Sequence, residues 1–349
     1  MTGTSSGNDP GGSAQATAPH ASTVVEEQPP VKRKPRGRRN AMLSGLGILV
    51  LIGAAAAAGF LIVNNLVSRV PRINVGRLPP SGASQTILIT GTGFGGTGFG
   101  GTGGSAPVSQ AQFSGLIMLL HINARQNAGA VVSIPPRVMV QVPGKGTMEL
   151  QGALAAGGPA LLVRTVEQLT HVQINHYAQV DFSHAAKVIN ALGGVDVSML
   201  KQSASAGHTF HAGINHLNGA TALYYALDTS TTDGDRILRQ QNLLRAMMSK
   251  LGRHLLTTPL TMVRVLGALT SMMTVDSNFT NSELMALARE LGALRGQAGT
   301  FVTAPSHAAG GKLVLDTPMS SRLWRAITHD SVAAFARNDP STVTPPVVP

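Results

Sequence analysis

The sequence predicts an α/β layered domain held behind a single transmembrane helix. Short apolar runs of strand character alternate with amphipathic helical stretches from Thr86 onward, and turn residues punctuate the changes. An uncharged apolar segment, Ala41 to Val63, directly follows a dense basic run and supplies the helix. Charged residues make up 12% of the chain and aromatics 4%, so the core has to be built mainly from aliphatic side chains.

The net charge of +11 would by itself suggest nucleic-acid binding. Six of the positive residues, however, are Lys32, Arg33, Lys34, Arg36, Arg38 and Arg39, immediately before the apolar segment. A helix over 41–63 is long enough to cross about 30 Å of hydrocarbon. Its basic flank places the N-terminus in the cytoplasm, giving one pass through the cell membrane and an extracytoplasmic main domain. No recognition motif accompanies the basic run, so no nucleic-acid partner is expected. The small residues Ala54 to Ala58 are of the kind a signal peptidase cuts, but the apolar core is longer than that of a usual signal peptide, which favours an uncleaved anchor. Residues 1–40 read as a disordered basic cytoplasmic segment, 64–84 as a polar stalk with Pro71, Pro79 and Pro80, 85–335 as the extracytoplasmic domain and 336–349 as a disordered tail. The absence of cysteine excludes disulfides and Cys-based zinc sites.

Within the domain, Thr86–Thr90 is the first buried strand. It runs into a glycine tract, 91–104, in which Gly91, Gly93 and Gly96 spell G-x-G-x-x-G. No helix opens after the tract to hold a pyrophosphate, so it reads as a loop and not as a nucleotide site. Leu116–Ile122 and Ala130–Ile134 are strands, the second stopped by Pro135 and Pro136, and Met139–Val142 resumes it. Gly157–Leu169 is a helix with Pro159 near its start, His176–Phe182 a strand, Ser183–Leu192 a helix ended by Gly193 and Gly194, and Val195–Val197 a short strand. His208, His211 and His216 have no carboxylate between them and read as loop histidines, so no metal ligands are assigned. The chain from Leu251 to Leu294 is mostly helical. Thr300–Thr303 and Lys312–Leu315 form a late strand pair, and Ser320–Phe335 is the last helix.

The stretch carrying most chemistry is Ala222–Leu256. An apolar run breaks at the polar cluster Asp228–Asp235 and re-enters as a helix, with Ile237, Leu238, Leu243, Leu244, Met247, Met248, Leu251 and Leu255 at helical spacing. Thr232 or Asp233 can cap it. Arg236, Arg239 and Gln240 then stand at a helix N-terminus, where free N–H groups and guanidinium forks suit an anion. The competing reading is two arginines on a solvated face.

Seven segments resemble the LytR-CpsA-Psr (LCP) family of cell-envelope proteins, in the family's order: SGLIMLLHIN (Ser114–Asn123), VVSIP (Val131–Pro135), GGPALLVRTVEQL (Gly157–Leu169), INHYAQVDF (Ile174–Phe182), ALGGVDV (Ala191–Val197), HLNGATALYY (His216–Tyr225) and DGDRILRQQNLL (Asp233–Leu244). The likeness is strongest over 112–248. It implies a three-layer α/β domain with a mixed central sheet between helices. It also implies an apolar pocket for a polyprenyl chain, arginines on the lipid's pyrophosphate, Mg²⁺ on aspartates, and transfer of glycopolymers from the lipid carrier to peptidoglycan. Pyrophosphate gathers charge as it leaves, which is why guanidinium groups and a bridging cation belong there.

The carry-over is uneven. The Asp-x-x-Arg-x-x-Arg-Gln element is intact as Asp233, Arg236, Arg239 and Gln240. The resemblance thus implies Asp233 and Arg236 as catalytic groups, and Arg236, Arg239, Gln240 and Arg137 as phosphate- or lipid-binding groups. The Gly-Ser-Asp-x-Arg loop falls on 91–95, putting Gly93 in place of an aspartate. The Arg-Ser-Asp element falls on 113–115, putting Gly115 in place of a second. Ser-Ile-Pro-Arg-Asp reads Ser133, Ile134, Pro135, Pro136, Arg137, which displaces its arginine by one position, and Tyr-x-Arg-x-Arg reads Tyr225 to Thr229 with neither arginine. With both Mg²⁺ aspartates replaced, a divalent cation is poorly held. The expectation is a membrane-anchored relative with weakened catalysis that still binds a polyprenyl-phosphate-linked lipid or anionic envelope glycopolymer beside peptidoglycan. The alternatives are an active transferase with a rewired site and a scaffold for an active paralogue.

Overall fold

The structure is a computed structural model that describes residues 59, 61–92, 113–125, 128–205, 207–228, 230–254, 259–293 and 299–349, all within one unit, 56–349. Its centre is a seven-stranded mixed sheet. In sequence the strands are β1 (Arg72–Ile73), β2 (Gln85–Thr92), β3 (Phe113–Ile122), β4 (Gly129–Ser133), β7 (His176–Asp181), β12 (Met273–Asp276) and β13 (Gly299–Thr303), and across the sheet they run β1-β12-β7-β2-β3-β4-β13. The outer pairs β1/β12 and β4/β13 are parallel, as is β7/β2, and the remaining pairs are antiparallel.

Successive side chains of a strand point to opposite faces, and here both faces are apolar. Leu88, Ile117, Leu119 and Val132 enter one core, while Ile87, Leu116, Met118, Leu120 and Val131 enter another. The first core is closed by α1 (Leu150–Thr170), α7 (Thr317–Thr328) and α8 (Val332–Asn338). The second is closed by α2 (Phe182–Ala191), α3 (Gly219–Leu227), α4 (Asp233–His254), α5 (Pro259–Met272) and α6 (Asn281–Ala293). This is the mixed central sheet between helices. A third core joins Val195, Val197 and Met199 of β8 (Val195–Met199) to Leu217 of β11 (Gly213–Leu217), and to Tyr225 and Leu243. Helices α2 and α3 touch at Gly219, where a Cβ would lie 2.2 Å from the Ala186 carbonyl oxygen, so only glycine fits.

Several expectations are corrected. The helix expected from Gly157 is preceded by about two further turns beginning at Leu150. Gly157 and Gly158 (φ 65°) kink the chain, and Pro159 starts the second segment. Met139–Val142 does not resume β4 but forms β5, a hairpin with β6 (Gly146–Glu149). The region 251–294 contains the strand β12 between two helices, because Thr274 and Val275 complete the sheet beside β7. The late strands do not pair with each other. β13 lies parallel to β4, where Phe301 and Val302 are buried, and β15 (Lys312–Leu315) pairs with β14 (Ser306–Ala309) across Gly310 and Gly311, both at positive φ as a two-residue hairpin turn requires. The last helix breaks at His329–Ser331, where Asp330 has φ 54°.

Both flanks depart from expectation. The stalk is part of the fold: Val67, Val70 and Val75 are buried, and β1 edges the sheet. The tail 336–349 is ordered. Val343 bridges Val302, Val348 is buried against β8, and Arg245 donates to the carbonyl oxygens of Thr344 and Pro345. Burial of Val348 and Thr344 offsets the entropy that a free tail would keep. The expected anchor, 41–63, lies outside the described residues except for 59 and 61–63. Residues 61–68 are helical, with Leu61 and Ile62 exposed, and among the described residues no helix is long and apolar enough to cross a membrane.

Buried polar groups tie the sheet to the outer helices. His121 receives the Thr86 hydroxyl at Nδ1 (3.0 Å) and donates from Nε2 to Asp330 (2.8 Å), which also accepts from the Ala124 N–H. Burial pushes the imidazole below its ordinary value, against the opposing pull of the Asp330 hydrogen bond and charge. A base depressed in the folded state is fully compatible with folding above its unfolded pKa, about 6.5, and costs stability as pH falls below that value. We therefore expect urea-unfolding stability to drop from pH 7 to pH 5, with a shallower slope in His121→Gln. An identical slope would remove His121 as a cause.

Candidate functional site

The Thr232 hydroxyl oxygen accepts from Asp235 N (3.1 Å) and its carbonyl from Arg236 N (3.0 Å), so Thr232 opens α4. One turn in, Arg236 Nη2 donates to Asp233 Oδ1 at 2.5 Å. The other carboxylate oxygen, Oδ2, lies 3.5 Å from Arg137 Nη1, and Arg137 Nε reaches Glu149 Oε1 at 3.5 Å. The arginine displaced along the sequence by Pro136 thus still reaches the cluster through its long side chain. Arg137 is mostly exposed, Asp233 partly so, and Arg236 is 15% exposed. Opposite Arg236 stands Gly115 at φ +72°, and a Cβ placed there would be 3.6 Å from Arg236 Nη2. The position that carries an aspartate in the family pattern therefore faces this guanidinium, and here it contributes no carboxylate.

Gln240 follows Arg236 by one helical turn. It is 4% exposed, and its Nε2 is the buried side-chain nitrogen without a hydrogen-bond partner among the described residues. Leaving such a donor unmet costs about 1–3 kcal/mol. Leu244, Met247, Met248 and Leu251 continue along α4, and they are only partly buried where they meet the second core together with Leu284 and Leu291 of α6. An incompletely closed apolar layer therefore runs on from the arginine end of α4.

Arg239 is not in this cluster. It is 2% exposed, and each of its nitrogens is engaged: Nη1 donates to Asp228 (3.1 Å), Nη2 to Ser203 (2.9 Å) and Nε to the Pro349 main-chain oxygen (3.0 Å), with the Tyr225 ring 5.6 Å away. The expectation that it grips phosphate beside Arg236 is corrected, since these partners turn it toward β9 (Ser203–Ser205) and the C-terminal segment. Gln241, which sequence reasoning passed over, is fully buried and fastens β4 and β13. Its Nε2 donates to Ser133 (2.6 Å) and the Val302 carbonyl (3.0 Å), and its Oε1 accepts from Thr344. Its place directly after the intact motif was the only available signal.

The Mg²⁺ that the resemblance implies does not fit the residues present. Both oxygens of Asp233 are taken by guanidinium groups, and position 115 has no side chain. Among the described residues no group of three or more histidines and acids could hold a metal ion. Residues 93–104 of the glycine tract, Gly93 included, lie outside the described residues, while Gly91 and Thr92 end β2. Two of the histidines expected in loops lie in strands instead: His216 is in β11 and pairs with Asp196 across from it in β8 (2.7 Å), and His208 opens the strand His208–Phe210 and stacks on Tyr224.

Comparison with known proteins bears on the family and the fold. The chain is 30% identical over 241 residues to the probable cell wall biosynthesis protein LcpB of Corynebacterium glutamicum, covering 64% of this chain and 58% of that protein. It is 32% identical over 141 residues to the polyisoprenyl-teichoic acid–peptidoglycan teichoic acid transferase TagU of Bacillus mycoides, covering 39% of this chain and 46% of that one. The chain thus spans about half the length of the curated relatives it matches. The solved LytR-Csp2A-Psr enzyme from Actinomyces oris superposes with a TM-score of 0.56 at 20% identity, over 78% of this chain and 97% of that one, a likeness of fold. The LytR_cpsA_psr family model matches residues 71–307, and the chain belongs to that family.

Proposed function

We propose that this chain is a membrane-anchored, extracytoplasmic binder of a polyprenyl-phosphate-linked lipid or of the anionic glycopolymer it carries, with weakened transfer chemistry toward peptidoglycan. The observation that carries this reading is the Arg236 guanidinium, partly open and one helical turn before the orphaned Gln240 Nε2, with no carboxylate at Gly115 to organise a cation. Two donors at a helix start suit a phosphate oxygen, and the half-buried Leu and Met side chains of α4 and α6 suit an isoprenoid tail. The name of TagU, a polyisoprenyl-linked teichoic acid transferase, is consistent with that chemistry. The basic run before 41–63 is the basis for the anchor.

The test is binding of undecaprenyl phosphate to the full chain in detergent, read by native mass spectrometry and titration calorimetry. Arg236→Ala removes a charge-assisted contact of about 1.5–3 kcal/mol, so affinity should fall roughly ten- to a hundredfold with little change in melting temperature. Undiminished binding by the variant would reject the site.

A second reading is favoured by one contact. Arg137 reaches Asp233, which is what an active transferase with a rewired site would need. Release of polymer from a lipid-linked pyrophosphate, lost in Arg137→Ala, would favour it over the weakened binder.

A further inference from the structure

A serine, a histidine and an aspartate that no function above uses are linked at the far end of the sheet. Ser81 Oγ lies 3.0 Å from His176 Nε2, and His176 Nδ1 lies 3.2 Å from Asp276 Oδ2. Strands β2 and β7 run parallel away from this point; His176 pairs with Ile87, whereas Gly115, beside Arg236, lies between the Thr90 and Thr92 pairings, so roughly 13 Å of strand separates the two levels.

The hydrogen-bond chemistry fixes the tautomer. An ionised carboxylate only accepts, so Nδ1 carries the ring proton and Nε2 presents its lone pair to the Ser81 hydroxyl. That is the arrangement in which a histidine serves as general base to a serine and an aspartate orients it. Every member is held. Asp276 is fully buried and also accepts from Tyr177 N (3.0 Å) and Asn278 N (2.9 Å). The imidazole is 2% exposed and stacks on Phe279 with centroids 3.7 Å apart and planes 11° off parallel. The serine follows two prolines, and Asn175, the neighbour of His176, donates to the Pro80 carbonyl (3.1 Å). The other acceptor near the hydroxyl, Gln85 Oε1, is 3.5 Å away.

A second alcohol–histidine–aspartate relay, Thr86–His121–Asp330, has the two ring nitrogens exchanged and provides a contrast. Its alcohol is secondary and 4% exposed, closed off inside the sheet. Ser81 is a primary alcohol, half-buried, beside a glycine whose added Cβ would meet nothing closer than the Ser84 carbonyl at 3.7 Å. One relay is sealed and the other is open on its alcohol side.

We propose that Ser81, His176 and Asp276 form a second site that acts as a serine nucleophile toward small, unhindered carboxylic esters. Ser81 Oγ bonds to the ester carbonyl carbon while its proton passes to His176 Nε2. The tetrahedral adduct then collapses and expels the alcohol oxygen, which takes that proton. Water attacks the acyl-serine in the same way and releases the carboxylic acid, so the sum is ester plus water giving acid plus alcohol.

The test treats the full chain in detergent with a fluorophosphonate and maps the adduct by peptide mass spectrometry, with p-nitrophenyl acetate turnover measured in parallel. The expected result is an adduct at Ser81 and ester turnover, both abolished in Ser81→Ala while its melting temperature and undecaprenyl-phosphate binding stay unchanged. His176→Gln, where it folds, should slow labelling by about a hundredfold, the contribution of a positioned base. Labelling of Ser81 no faster than of the exposed Ser282, or turnover equal in Ser81→Ala and the native chain, would overturn the proposal. So would a folded His176→Gln labelled at the native rate.

Discussion

Replacing Arg239 with alanine is expected to destabilise the domain by about 3–5 kcal/mol, the usual cost of removing one partner of a buried ion pair. In a chain of this size that shifts the melting temperature on the order of 10 °C. Arg239 and Asp228 are both nearly inaccessible and lie 3.1 Å apart, and the same guanidinium bonds Ser203 and the Pro349 main-chain oxygen. Its loss leaves a buried carboxylate and frees the C-terminal segment together. The pH response should change with it. Burial pushes the Asp228 carboxyl up, but hydrogen bonds from the Ser230 hydroxyl, the Ser230 N–H and Ser205, with the Arg239 charge, outweigh that and hold it below the ordinary carboxylate range. An acid depressed in the folded state adds stability that is complete above its unfolded pKa, about 3.9, and is lost as pH falls through the folded value. Arg239→Ala should shrink that acid-side loss, and urea unfolding at pH 7 and pH 3 measures both effects. The control is Arg236→Ala, whose partner Asp233 is partly exposed and whose loss should stay within about 1 kcal/mol. Equal, small losses in the two variants would show that Arg239 is not the buried structural member described above.

That contrast also marks what could be read in the chain and what could not. Arg236 and Arg239 are three residues apart in one motif, and nothing local separates them. What separates them is remote: Asp228 across the helix start, Ser203 in a hairpin and Pro349 at the other end of the chain. Strands such as Leu116–Ile122 and Ala130–Ile134 were legible because both faces are apolar, so the run itself is the signal. β12 was not, because four residues between two helices carry no period of their own. The C-terminal segment failed for another reason. Residues 336–349 read as a disordered tail, yet the order comes from Gln241 and Arg245 of α4, whose side chains reach Thr344 and Pro345. Arg137 shows the opposite case: a one-residue displacement that looked like a loss is absorbed by a long side chain that still reaches Asp233.

Restoring the carboxylate opposite Arg236 should change the chemistry of the site more than any deletion. Gly115 sits at φ +72°, a conformation that costs most residues about 1–2 kcal/mol but that aspartate and asparagine adopt comparatively readily. The nearest atoms a Cβ there would meet are those of the Arg236 guanidinium, at 3.6–3.9 Å, so the Cβ is accommodated without moving backbone. In Gly115→Asp the new carboxylate competes with Asp233 for Arg236, releasing an oxygen of Asp233 and giving two acids where a divalent cation could bridge to a phosphate. Gly93→Asp adds the second aspartate that the family pattern carries. We expect the double variant to gain a Mg²⁺-dependent rise in melting temperature that the native chain lacks. It should also gain at least tenfold in Mg²⁺-dependent release from a lipid-linked pyrophosphate, since a placed cation at the leaving group is worth several kcal/mol. Gly115→Asn is the control: it keeps the backbone tolerance and the side-chain volume but supplies no charge, so it should respond to neither. If the aspartate and asparagine variants behave alike, the missing acids do not limit release at this site, and the arginines absent after Tyr225 become the next to restore.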